Sequence, residues 1–125
     1  MKKENVILDK SFEFALQLIV LYKQLILEKE FVLSKQLLRS GTSIDANVEE
    51  ATAAISKKDF TAKISIASKE ARETRYWLRL LQKSQLVKID VAKHLIEVEQ
   101  LINILTAIVK TSQGNRNVEF MNVEL

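Results

Sequence analysis

The sequence predicts an all-α fold, an up-down-up-down antiparallel four-helix bundle. Three observations lead there. Apolar residues recur at alternating steps of four and three through most of the chain, the period of helices that lay one stripe against a partner. The 125 residues include no proline and only two glycines, whereas strand-rich folds need turn residues between many short elements. Two of the apolar series also fold back on one another in a constant register. Leu37 then faces Thr74, Gly41 faces Ala71, Ile44 faces Ala67, Val48 faces Ile64 and Ala51 faces Phe60, as an antiparallel hairpin turning near Ser56 requires. With 47% apolar residues, positions 1–114 are expected to close around one core as a single domain.

For helix one, Asp9 or Ser11 offers a side-chain oxygen to the free amides of a first turn. Phe12, Ala15, Ile19, Tyr22 and Ile26 then form one stripe. Phe14, Leu18, Leu21 and Leu25 form a second beside it, widened by Leu16, Val20 and Leu27. A bundle helix hides one face, so the second stripe is read as surface covered by another copy of the chain. Helix two is expected from about Phe31 to Ser34 and to pass unbroken through the loop-like Arg39–Ser43 run, because the apolar register continues there. Gly41 falls on the seam, where two small residues let backbones approach. Ser56 caps helix three, with Asp59 as the acidic member of a capping box. Asp90 caps helix four, whose seam is Val91, Leu95, Val98, Ile102, Leu105 and Val109; Leu101, Ile104 and Ile108 form its own second stripe. Gly114 is expected to end that helix in the left-handed conformation. Residues 115–125 have no helical period and read either as a flexible tail or as an arm docking on a neighbour, an option that Phe120, Met121 and Val123 keep open.

The chemistry is narrower. Without cysteine there are no disulfides or thiolate metal sites, and a reducing cytoplasm is the expected compartment. The start, Met1 to Ser11, lacks the apolar core of a secretory signal, and Phe12 to Leu27 is too polar for a membrane span. His94 is the only histidine, so the paired Glu-x-x-His ligands of a di-iron bundle are missing, and no serine or cysteine nucleophile has a base beside it. No enzyme, cofactor, metal or small-molecule substrate is expected. Charge is the remaining signal. Predicted helix three carries eight cations against three carboxylates, while the whole chain has a net charge of +3. Lys57, Lys58, Lys63, Arg72, Arg75, Arg79 and Lys83 are the candidate nucleic-acid-binding residues. The three arginines line one helix edge, suited to tracking phosphates, and Tyr76 and Trp77 interleave for stacking on unpaired bases. The rival reading is a solvated face of internal ion pairs, Lys69 with Glu73, Lys63 with Glu49 and Arg39 with Glu73. On that reading the bundle is an adaptor that recruits a protein partner.

The run from Arg39 to Leu81, RSGTSIDANVEEATAAISKKDFTAKISIASKEARETRYWLRLL, resembles the signature of bacterial four-helix-bundle proteins encoded in intervening sequences of 23S rRNA genes, also labelled S23 ribosomal proteins. Arg39, Ser43, Asn47, Glu50, Lys57, Asp59, Lys63, Glu70, Glu73 and Tyr76 are the polar members of that motif present here. Asp45 departs from a usual glycine and Ser68 from a frequent leucine. The resemblance implies a homopentamer shaped like a barrel or funnel, with no catalytic activity. It extends to the accessory variability determinant proteins of diversity-generating retroelements, pentamers whose basic surface engages RNA and a reverse transcriptase.

Overall fold

A computed structural model describes residues 3–114. Four helices follow in order: α1 (Lys3–Leu27), α2 (Leu33–Thr52), α3 (Lys57–Ser84) and α4 (Ala92–Ser112). They run up-down-up-down, each packing on its chain neighbour, with no strand among the described residues. The α2–α3 hairpin makes the most intimate contact and α1 touches α4 least. The expected tail, residues 115–125, lies outside the described residues.

The capping signals explain where the helices start. Ser56 accepts the Asp59 amide at 3.0 Å, and the Asp59 carboxylate accepts the Ile55 amide at 3.3 Å, so the predicted box forms with its second bond one residue earlier. Asp90 accepts the Ala92 amide at 2.9 Å but stands one residue before the N-cap expected of it, a position that Val91 holds without a side-chain bond. Helix one departs from expectation. It begins several residues before Asp9, and neither Asp9 nor Ser11 caps it. Ser11 is instead buried, its hydroxyl donating to the Leu8 carbonyl at 3.2 Å and to Asp45 Oδ1 at 3.1 Å across to α2. Helix α2 is capped from the short connection that precedes it. Glu30 is buried and its carboxylate accepts the amides of Val32, Leu33 and Ser34 at 3.1, 3.1 and 2.6 Å. A negative charge on three free amides at a helix start is favoured twice, by hydrogen bonding and by the helix dipole. Glu30→Ala is expected to cost about 1–3 kcal/mol, read as a lower urea midpoint with an unchanged slope.

The core corrects the reading of the apolar stripes. Along α1 the buried series is Ile7, Ser11, Phe14, Leu18, Leu21 and Leu25, an unbroken run of fours and threes, with Ala15 of the other stripe buried beside Phe14. Ser11 looked like a cap only because Ile7 before it was taken to lie outside the helix. Leu18 and Leu21 are 0% exposed, and Leu101 on α4 is 2% exposed, all within one protomer. The stripe assigned to a second subunit is therefore the core. Phe12, Leu16, Ile19, Val20 and Leu27 are the exposed face instead, with Val20 at 56% and Leu27 at 83%. On α4 the seam from Val91 to Val109 is buried or half-buried, and Ile104 and Ile108 pack partly against the core.

The α2–α3 seam holds as read from Leu37 to Ala51 and from Ile64 to Leu81. At its turn end Thr61 replaces Phe60 inside, and Ile55 is 94% exposed. Ser40 rather than Leu37 meets Thr74 through a 2.9 Å hydroxyl bond. Gly41 is buried, but what it accommodates is Leu18. A Cβ built at Gly41 lies 1.9 Å from Leu18 Cδ1. The glycine is a hole on α2 for a leucine knob of α1, so its tolerance in mid-helix, at roughly 1 kcal/mol against alanine, has a packing cause. Gly114 has no positive φ; among the described residues the left-handed ones are Lys29 and Gln85, just past α1 and α3.

Candidate nucleic-acid interface

The seven predicted cations of α3 divide between faces. Arg72, Arg75 and Arg79 lie along the side turned to α4. Arg72 Nη2 donates to Thr106 Oγ1 at 3.2 Å and Arg75 Nη1 to Glu99 Oε2 at 2.8 Å. These contacts mark a trough between α3 and α4. One hollow of about 320 Å³ is lined by Arg72, Arg75, Asn103, Thr106 and Lys110. A second of about 530 Å³ continues it past Arg79, Gln82 and Gln100. Arg75, Glu99 and Asn103 belong to both, so the two shallow hollows adjoin and share the Arg75–Glu99 ion pair. Its charged lining is three arginines and Lys110 against the single carboxylate of Glu99.

The other four lie elsewhere. Lys63 projects half a turn around α3 and bonds Glu50 on α2 at 3.0 Å, not the expected Glu49. That bond, with the attraction of the same carboxylate, raises the Lys63 pKa. Lys57 and Lys58 are exposed at the start of α3, and Lys83 is exposed in its last turn. Tyr76 is exposed and stands one turn from both Arg72 and Arg79. Trp77 is half-buried, its indole N–H donating to Glu73 at 3.0 Å, with the two rings edge-to-face at 5.0 Å. Glu73 also holds Arg39, as expected from the hairpin register, and Arg39 reaches Glu70 at 3.7 Å.

The opposite wall of the trough was missed in the sequence although its signal is there. Glu99, Asn103, Thr106 and Lys110 step by four, three and four along α4, a polar stripe with the same period as the apolar seam beside it. Arginine guanidinium groups, a lysine and a row of amides and a hydroxyl are donors suited to phosphate and base edges.

The described residues contain no cluster of three metal-ligating side chains, and no helix among them is long and apolar enough to cross a membrane. His94 is half-buried with Nδ1 unpartnered, and burial lowers its pKa despite the nearby Glu97 carboxylate. Asp45 is the other perturbed group. Burial raises its pKa above 3.8, partly opposed by the Ser11 hydrogen bond. An acid with a raised folded-state pKa binds protons more tightly when folded. Its contribution is full below pH 3.8 and is lost as pH rises through the folded-state pKa. Asp45→Asn keeps an acceptor for Ser11 without the buried charge. It is expected to raise the urea midpoint at pH 7 and to change it less at pH 3.

The model of the 23S rRNA-intervening sequence protein family matches residues 3–107. The chain belongs to that family. A solved structure of a protein of unknown function from the S23 ribosomal protein family of Bacteroides thetaiotaomicron is similar, with a TM-score of 0.82 and 46% identity. The similarity covers 87% of this chain and 99% of that one. A comparison with curated proteins finds no match. The match to the intervening-sequence family takes in the whole of α1, α2 and α3 and most of α4, and with them every residue of the trough except Lys110. Neither description assigns an activity.

Proposed function

We propose that this intervening-sequence family protein is a non-enzymatic, oligomeric helical bundle that binds structured RNA in the α3–α4 trough. The observation that carries the reading is the convergence of Arg72, Arg75, Arg79 and Lys110 on one side of the bundle, where the single carboxylate is Glu99, paired with Arg75, and the other polar groups are amides and a hydroxyl. Tyr76 beside the arginines adds a ring on which an unpaired base stacks. The apolar edge of α1, from Phe12 to Leu27, supports assembly of copies, and the family resemblance supports a homopentamer. A ring repeats the trough, and several weak phosphate contacts on one rigid body give avidity that a single protomer lacks.

A second reading has a specific observation behind it. Arg75 already pairs with Glu99 and Lys63 with Glu50, which favours a structural role for those charges and a protein partner for the ring. Recovery of the protein from cells, with sequencing of bound RNA and identification of bound protein, separates the two. Enriched RNA cross-linked to α3 or α4 peptides supports RNA binding. A stoichiometric protein recovered without RNA supports the adaptor.

A further inference from the structure

Where α1 begins and α4 ends, the bundle is open. Val6, Phe60, Ile104, Ala107 and Ile108 surround an apolar cleft of about 670 Å³, with Lys57 at its edge. The cleft exists because α4 is drawn toward α3 at this end, where the Thr61 and Ser112 hydroxyls are hydrogen-bonded, while α1 packs chiefly on α2. Ile104 and Ile108 rest on the core from one side and face the opening with the other.

We infer that this cleft is the docking site of the segment Val118–Val123 of the same chain. Thr111 and Ser112, in the last turn of α4, line the cleft, so the described chain ends beside its rim. Asn115, Arg116 and Asn117 are polar and are followed in sequence by Val118, Phe120, Met121 and Val123. Reach is sufficient. With three residues spent on turning the chain back, Asn117 to Phe120 covers roughly 10 Å at about 3.3 Å per residue. That matches the roughly 9 Å from Gly114 back to Ile108 at 1.5 Å per residue. Size also agrees, since hollows of about 300–1,000 Å³ bury most of a drug-sized ligand, a volume within which several apolar side chains fit. Lys57 at the edge complements Glu119 between the apolar anchors. The short tether gives the segment a local concentration near the millimolar range, which favours its own cleft over a neighbour's. The cleft holds none of the trough arginines, so the inference stands apart from RNA binding.

A chain without cysteine allows a direct test. Met121→Cys is combined with Ala107→Cys in the cleft wall, and in a control with Ala62→Cys, exposed on the outside of α3. Under mild oxidation, the cleft pair is expected to close a disulfide within one protomer roughly tenfold faster than the control, and adding Phe120→Ser to bring it to the control rate. Equal rates for the two pairs overturn the inference. So does a ladder of cross-linked copies on a non-reducing gel, which places the segment on a neighbour. Retained helical circular dichroism in each variant ensures that the rates report docking and not unfolding.

Discussion

Replacing Leu18 by glutamate is expected to abolish the folded protomer, whereas the same change at Val20, two residues away, leaves it folded. Leu18 is fully buried, filling the space that Gly41 leaves on α2. A leucine lost from such a site costs about 2–5 kcal/mol through transfer and cavity terms. An unpaired buried carboxylate adds about 3–5 kcal/mol. Together they approach the whole stability of a small domain, about 5–15 kcal/mol. Far-ultraviolet circular dichroism of Leu18→Glu is therefore expected to lose its cooperative thermal transition. Val20 lies on the exposed edge with Phe12 and Leu16, so Val20→Glu is expected to retain helicity and thermal midpoint while lowering the particle mass by light scattering. A folded, lighter Leu18→Glu particle would mean that Leu18 lies between copies and not in the core.

Substituting Arg72, Arg75 and Arg79 together by glutamine is expected to remove RNA binding without touching the bundle. Arg72 and Arg79 are exposed and Arg75 is half-buried beside an exposed carboxylate, so the stability change is small, as for surface ion pairs generally, about 0–1 kcal/mol. RNA affinity behaves differently. A cation that neutralises a phosphate releases condensed counterions, so the slope of log affinity against log salt is expected to flatten by roughly 0.7–0.9 for each phosphate left without its arginine. Lys63→Gln is the matched control, because Lys63 faces α2 and is paired with Glu50. A loss of log affinity from Lys63→Gln one third that of the triple variant, the same for each charge removed, would mean that net charge, not the trough, governs binding.

Much of this fold is written in the chain because helical periodicity is a local, repeated signal. The α2–α3 hairpin could be registered residue against residue since both seams are free of competing stripes. Helix α1 resisted because it carries apolar residues on nearly every side. Choosing its inner face required knowing that the helix begins before Ile7, and Ser11 pointed the wrong way. Serine caps helices, but a hydroxyl can also be buried when a neighbouring helix supplies an acceptor, here Asp45. Gly41 was legible as a close approach, while the element approaching it was not, since nothing local marks Leu18 as the partner. The arginine row was readable from its spacing on α3. Its opposite wall was equally periodic, yet Asn103 and Thr106 attract no notice until α4 is laid beside α3. The end cleft has no sequence signature, because it arises from how far α1 and α4 separate.

Multi-signal sedimentation of the full chain with a structured RNA reports protein and RNA in one particle, and so tests assembly and binding together. At low salt the expected result is a complex heavier than one 14.3 kDa protomer that carries RNA, and that sheds the RNA before the protein dissociates as salt is raised. Protein sedimenting at 14.3 kDa, apart from the RNA at low salt, would contradict it.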